Sequence, residues 1–258
     1  MKLRNSRGFT LVELMVSIVI IAVLSSLAAV FIKRGIQAAD AAKCTSNMRQ
    51  IHSGVMAVVD NGVRTGFNPP GTFPPYAGQQ QDPQNDFVWW DLVAEQMGLA
   101  EVVDGDYIWN NHPKETVFQN PLSRHTLGGD RADWMPFHNN PEASGGGFCQ
   151  NNLVGDWVAP QTDPETIKDK VTRTSEIPYP ASTILFGESD DLVADARQPT
   201  VAFWGTDNAP QGNYKESAHC MFVDGHVERI ENSKLKDREW LDHYRLLVPP
   251  EKRLGQPQ

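Results

Sequence analysis

The sequence predicts an α+β protein, a long N-terminal helix followed by a domain with late β structure, and three observations carry that expectation. Residues 14 to 32 contain no charged side chain, and a helical pattern persists beyond them with no proline before Pro69. β-Branched and aromatic runs are concentrated after residue 180, around Asp224-Gly225. The stretch between is rich in Pro, Gly and Asn and has little regular period. The 258 residues, 40% hydrophobic and 21% charged, have an ordinary globular composition, which excludes a collagenous, low-complexity or wholly disordered chain. The length allows a core of useful size. Lys+Arg 23 against Asp+Glu 32 gives a net charge of −9. That balance argues against a nucleic-acid partner, because neutralising phosphates needs clustered cations. With the apolar content gathered at one end, the expectation is one membrane segment and one soluble domain.

The first eight residues carry Lys2, Arg4 and Arg7 and no acid, and the apolar run from Phe9 to Ile32 is interrupted only by Glu13. The uncharged part, Leu14 to Ile32, rises about 28 Å at ~1.5 Å per residue, close to the ~30 Å hydrocarbon thickness. A cleavable secretory signal has a shorter apolar region, roughly 7–15 residues, ending at small residues. Here Ser25, Ser26, Ala28 and Ala29 continue the helix. Glu13 stands out, since a carboxylate in an apolar span costs about 2.5–3.5 kcal/mol at the centre and less near an end. Either it snorkels to the headgroups, or it meets a positive partner within an assembly.

The string R-G-F-T-L-V-E-L, Arg7 to Leu14, resembles the type IV prepilin leader. The resemblance implies cleavage after Gly8 by a prepilin peptidase and methylation of the new N-terminal Phe9. It also implies that Glu13 pairs with the N-terminal amine of a neighbouring subunit. An ammonium and a carboxylate that neutralise each other in a packed bundle remove a cost each would carry alone. The partners implied are other pilin or pseudopilin subunits, the prepilin peptidase and an inner-membrane assembly machinery. The implied location is the inner (cytoplasmic) membrane, single-pass, with the C-terminal domain periplasmic or extracellular. Loss of residues 1–8 takes the 23 basic side chains to 20 against 32 acidic ones, a net of −12.

The elements follow in order. Residues 9–32 are expected as a transmembrane helix and 33–62 as its amphipathic continuation. Cys44, Met48, Ile51, Val55 and Val58 form a stripe at spacings of four and three, with Asp40, Lys43, Arg49 and His52 off it. Asn61-Gly62 supplies a stop. The helix from about Phe9 to Asp60 would run roughly 78 Å, and Cys44 and His52 on it read as packing or solvated residues. In the pilin architecture that this division resembles, the stripe covers one face of an antiparallel sheet. The extracytoplasmic α+β domain is assigned to 63–250 and a frayed tail to 251–258. Residues 66–86, with five prolines, read as a loop. A short helix is expected over Phe87–Leu99, with Trp90, Val93, Ala94 and Met97 on one side and Gly98 ending it. Residues 104–160 read as mostly loop, anchored by Trp109, Trp134 and Trp157. Strands are expected at Thr183–Gly187 and Thr200–Trp204. His219–Val223 and His226–Ile230 flank Asp224-Gly225 as a hairpin, both turn positions taking positive φ. A last helix is expected over Lys234–Leu247, burying Leu235, Trp240, Leu241 and Leu246 or Leu247.

A second resemblance lies near the C-terminus. A-S-T-I-L-F-G-E-S at 181–189 and M-F-V-D-G-H-V at 221–227 are similar to the prepilin-leader family named for a His, nine residues, then Asp-Gly. Asp224, Gly225 and His226 match it. Tyr214 stands where that family has its His, and V-F-Q-N-P at 117–121 where many members have Cys-Pro-Ser. The resemblance implies assembly into a pilus or pseudopilus.

Candidate chemical sites are few. His219, Cys220, His226 and Cys149 are the zinc-type residues, but strand alternation sets His219 and Met221 on one face and Cys220 on the other, and no CxxC spacing occurs. For Ca²⁺, Glu188, Asp190, Asp191 and Asp224 supply hard oxygens around strand ends, with Asp104 and Asp106 a second acidic turn. Major pseudopilins of type II secretion systems resemble this design and can hold Ca²⁺ in a C-terminal loop. A solvated acidic loop is the alternative. Neither a G-x-S-x-G elbow nor a phosphate-binding glycine loop is present, so no enzyme and no cofactor other than that Ca²⁺ is expected. Of three cysteines, Cys149 and Cys220 are the candidate disulfide, free buried thiols being the alternative. The expected function is a structural subunit of a type IV pilus-like or type II secretion pseudopilus-like filament. The alternative is a membrane-anchored minor pilin or adhesin-like module, motivated by the aromatic-rich 66–160 region.

Overall fold

The long helix is observed as α1, Leu11–Asn61. It stops where Asn61-Gly62 was expected to stop it: Gly62 takes φ +68° and returns its N–H to the Val58 carbonyl at 2.8 Å. The computed structural model describes residues 10–62, 70–75, 77–78, 87–103, 106–110, 116–122, 148–151, 154–155, 172–188, 202–203, 210, 212, 214–237 and 240. By its contacts the chain divides between Ala42 and Lys43, inside α1 and not at the helix end. The first unit is helical over its described residues 11–42.

The second unit is a helix-on-sheet fold. After α1 come β1 (Ala77–Gly78), β2 (Phe87–Val88), α2 (Trp89–Gln96), β3 (Ala100–Val103), β4 (Asp106–Trp109) and β5 (Phe148–Asn151). Then follow β6 (Ile184–Glu188), β7 (Ala202–Phe203), β8 (Ser217–Phe222), β9 (Val227–Glu231) and the single turn α3 (Asn232–Leu235). The main sheet has the order β7-β5-β6-β8-β9. Four of its strands are antiparallel neighbours, and β7 adds a two-residue parallel edge on β5. The pairs β1–β2 and β3–β4 are separate antiparallel ribbons.

The stripe of α1 does what its spacing required. Cys44, Met48, Ile51, Val55 and Val58 are all buried, while Lys43 and Arg49 are exposed. They share one core with Trp89, Trp90, Leu92, Val93, Phe118, Phe148, Leu185, Phe186 and Met221. Trp89 is at its centre, stacked on Phe186 at 5.6 Å between centroids and tilted against Trp90 at 5.8 Å. These are the two buried tryptophans among the described residues. Trp134 and Trp157, and the side chain of Trp109, lie outside the described residues. The opposite sheet face carries a smaller core of Cys149, Ile184, Ala218, Cys220, Phe222, Ile230 and Leu235, with Trp240 against it.

Several expectations are revised. Phe87 and Val88 are extended, and the helix begins at Trp89; it ends as expected, with Gly98 N–H to Glu95 and Leu99 N–H to Ala94 closing a Schellman motif. Part of the proline-rich loop is interior: Thr72, Phe73, Pro74 and Pro75 are buried. Their backbone is satisfied by Phe73 N–H to Thr172, Thr174 N–H to Gly71 and the Gln150 amide donating to Pro74. Two strands, β4 and β5, lie inside the stretch that reads as mostly loop. Of the strand expected over Thr200–Trp204, Ala202 and Phe203 are described and pair with β5; the other three residues lie outside the described ones. The hairpin is a three-residue one, with Gly225 N–H to Phe222 and Phe222 N–H to His226. Only Gly225 has positive φ, +91°, the residue that a type I turn with a G1 bulge needs. Of the helix expected over Lys234–Leu247, α3 covers Lys234 and Leu235 and begins two residues before Lys234. Trp240 is helical again, its N–H donating to Asp237 Oδ1 at 3.2 Å, and most of the expected segment lies outside the described residues.

Candidate functional site

Among the described residues, two places offer candidate functional chemistry. The first is the N-terminus of α1. Gly8 and Phe9 lie outside the described residues; Thr10 and Glu13 lie within them. Thr10 is the N-cap. Its N–H and its hydroxyl each donate to Glu13 Oε2 at 2.9 Å, and its Oγ1 accepts the Glu13 N–H at 3.3 Å. This is a reciprocal capping box, which satisfies donors that a helix start otherwise leaves orphaned. Beyond it the described large apolar side chains from Leu11 to Ile36 are exposed all round, from 52% at Val16 to 73% at Leu11. The helix is long and apolar enough to cross a membrane.

The second is a buried polar cluster between α1 and the sheet. Glu188, at the end of β6, is 0% exposed. Phe186 and Glu188 share the helix side of that strand by alternation, and Cys44 of α1 lies over it. The Cys44 thiol donates to Glu188 Oε1 at 3.1 Å, and the Asn120 amide donates to the same oxygen at 3.1 Å. Asn120 is held by the α1 side chain Asn47, which donates to the neighbouring Gln119 carbonyl at 3.1 Å. From β8, the His219 N–H donates to Glu188 Oε2 at 2.8 Å. His219 Nδ1 lies 3.3 Å from that oxygen but has no hydrogen-bond partner. Burial, reinforced by the Glu188 charge, pushes the Cys44 thiol far up, so it remains a donor. Tyr214 stacks on the outer side of His219, centroids 6.4 Å apart and planes 21° from parallel. Gly212 closes the cluster: a Cβ there would collide with the Ser217 carbonyl and Glu188 Oε2.

The residues singled out in the sequence are thus redistributed. Glu188 does not face an open loop with Asp224; it is sealed under α1. Asp190 and Asp191 lie outside the described residues. Asp224 closes its own turn, accepting the His226 N–H at 3.1 Å and sitting 2.6 Å from His226 Nδ1, while the His226 ring stacks on Phe222 at 4.2 Å. Among the described residues the group with metal-ligand chemistry is Cys44, Glu188 and His219. Alternation does separate His219 from Cys220, which belongs to the smaller core. Cys44 reads in the sequence as a packing or solvated residue, and no local motif joins it to residues 188 and 219. The available signals were an acid closing a buried strand run and a His two positions from Met221 on the helix-facing side.

The Cys149–Cys220 disulfide is not formed; all three cysteines are free and buried. Cys149 pairs with Gly187 and Gly187 with Cys220, so β6 runs between them. Two strand spacings are about 9.5 Å, against the ~7 Å limit between Cα atoms of a disulfide. Burial pushes the Cys149 thiol up to about 12, despite a hydrogen bond from it to Gly187.

Comparison with known proteins speaks to the first site. Residues 3–29 match the family model of the prokaryotic N-terminal methylation motif. No curated protein and no solved structure matches the chain. The matched segment contains Gly8, Phe9, Thr10 and Glu13, and it supports a type IV pilin- or pseudopilin-like protein. The motif implies processing by a prepilin peptidase and assembly with other pilins, a structural class that is usually non-enzymatic. Motif and apolar helix together fit a membrane-anchored, single-pass chain.

Proposed function

We propose that this chain is a structural subunit of a type IV pilus-like or type II secretion pseudopilus-like filament. In this reading it is cleaved after Gly8, methylated on Phe9 and assembled through the first half of α1. The observation that carries it is the methylation motif at residues 3–29 set on the first part of α1, whose described large apolar side chains from Leu11 to Ile36 are exposed on every side. A helix hydrophobic all round is stable only in lipid or among other apolar helices. Before assembly the bilayer covers it; after assembly the same helices of neighbouring subunits do. Glu13 then meets the Phe9 ammonium of a neighbour, and the pair replaces two separately costly charges. The second unit remains outside the cytoplasmic membrane and faces outward from the filament.

Mass spectrometry of the mature N-terminus tests the processing. The expected species begins at N-methyl-Phe9, and a chain retaining Met1–Gly8 in cells with an active prepilin peptidase would overturn the reading. Sheared-filament fractions test the assembly: the chain is expected there in wild type and absent when Gly8 is substituted.

A further inference from the structure

We propose that Cys44, Glu188 and His219 form a structural zinc site that clamps the second half of α1 to the sheet. One ligand atom from each residue lies within 4.8 Å of the others, and all three residues are buried. Thiolate, imidazole and carboxylate are the donor types zinc takes, at about 2.0–2.3 Å. A tetrahedral ion with those bond lengths separates its ligand atoms by about 3.3–3.5 Å. The observed separations are 3.3 Å from His219 Nδ1 to Glu188 Oε2 and 3.1 Å from Cys44 Sγ to Glu188 Oε1. Cys44 and His219 thus approach opposite oxygens of one carboxylate. An ion placed among them takes sulfur, nitrogen and a carboxylate oxygen as ligands, one atom from each residue within 4.8 Å of the others.

The independent sign is His219. The residue is 6% exposed, and its Nδ1 has no hydrogen-bond partner although a carboxylate oxygen is at ion-pair distance. A buried ring nitrogen aimed at an oxygen without a hydrogen bond to it needs an explanation, and a shared cation supplies one. Neighbouring groups hold these ligands in place. Asn120 Nδ2 and the His219 N–H hold the two carboxylate oxygens, and Tyr214 fixes the imidazole plane by stacking. Sulfur and nitrogen donors exclude Ca²⁺ and Mg²⁺, which take oxygen shells. Full burial, with Gly212 packed over the carboxylate, leaves no place for substrate, so the role is structural. On binding, the Cys44 S–H proton is released to solvent as the sulfur–metal bond forms.

The test uses the full chain, purified in detergent with Zn²⁺ or Co²⁺ present from growth to elution. Elemental analysis is expected to find about one ion per chain, and the cobalt form to show a thiolate-to-metal charge-transfer band. Cys44→Ser should abolish the band and weaken zinc binding about 100-fold or more, while Cys149→Ser and Cys220→Ser retain both. Folded wild-type protein with metal far below stoichiometry would overturn the proposal, whatever the variants do. So would a thiolate band that survives Cys44→Ser. Processing and filament assembly are read separately, so a failed metal result leaves the filament reading standing.

Discussion

His52 of α1 donates from Nε2 to the Val223 carbonyl at 3.1 Å, so one side chain of the long helix holds the turn of the β8–β9 hairpin. The same ring lies over Gly225, where an added Cβ would meet His52 Cε1 at 3.0 Å. The sequence places His52 off the apolar stripe, and it is there that the helix meets the turn, at the rim of the interface.

Two substitutions separate the hydrogen bond from the backbone. His52→Ala is expected to lower stability by about 1 kcal/mol, the net worth of one such bond. Gly225→Ala should cost about 1–3 kcal/mol, since φ +91° is strained for a side chain. The double variant should cost less than the sum, because removing His52 relieves the contact and leaves the strain. Denaturant unfolding followed by the emission of buried Trp89 and Trp90 measures all three; strict additivity would show that the ring and the glycine do not interact.

The turn itself responds to acid. Partial burial raises the Asp224 carboxyl, but the His226 N–H and ring outweigh it and hold the group below the usual carboxylate value. A group whose folded pKa is depressed contributes stability above its unfolded pKa, near 4, and loses it as pH falls through the folded value. The hairpin contribution should therefore be complete at neutral pH and vanish only below about pH 4. Asp224→Asn is expected to flatten that acid limb of the stability profile. An unchanged limb would mean that other carboxylates govern it.

Glu188 makes a sharper prediction. It accepts from Cys44, Asn120 and the His219 N–H with no access to water. Glu188→Gln keeps the shape but turns one acceptor into an amide donor facing other donors. The expected loss is about 2–4 kcal/mol, read by the same unfolding experiment. A loss below about 0.5 kcal/mol would place Glu188 among exposed groups.

How much of this was legible in the sequence differs by element. The stripe from Cys44 to Val58 and the Asp-Gly hairpin are local patterns with one dominant solution, and both are found. β5 was missed because Phe148–Asn151 is four residues long and half polar. Its Gln150 and Asn151 are buried only because Pro74 and Ile184 offer carbonyls from elsewhere in the chain. β3 and β4 flank a second Asp-Gly at 104–105, which reads in the sequence as an acidic turn and not as the centre of a hairpin. The cluster of Cys44, Glu188 and His219 joins residues 144 and 31 positions apart. Only the sheet register and the docking of α1 assemble it, and neither is a property of any local window.

The turn before β8 is a place where the chain departs from local preference. Lys215 and Glu216 both have positive φ, 55° and 54°, and the Ser217 N–H returns to Tyr214 at 3.3 Å. That is a type I′ turn, which favours Asn-Gly. Replacing Lys215-Glu216 by Asn-Gly should raise stability by about 0.5–1 kcal/mol. If stability falls instead, the cation of Lys215 over the Tyr214 ring, 5.1 Å from its centroid, outweighs the strain.

Glu13 has two separable roles, and the choice of substitution distinguishes them. As the N3 residue of a capping box it needs only an acceptor that can reach Thr10, which Gln also supplies. As the partner of a neighbouring ammonium it needs the charge. Thr10→Ala should weaken the helix start by about 0.5–2 kcal/mol while leaving the carboxylate, so filaments are expected to persist at reduced yield. Glu13→Gln should preserve the cap yet abolish incorporation, because an uncompensated Phe9 ammonium would remain in the apolar bundle. Glu13→Ala loses both and is expected to match Glu13→Gln in the sheared-filament fraction. Normal incorporation of Glu13→Gln would show that the carboxylate serves the helix alone.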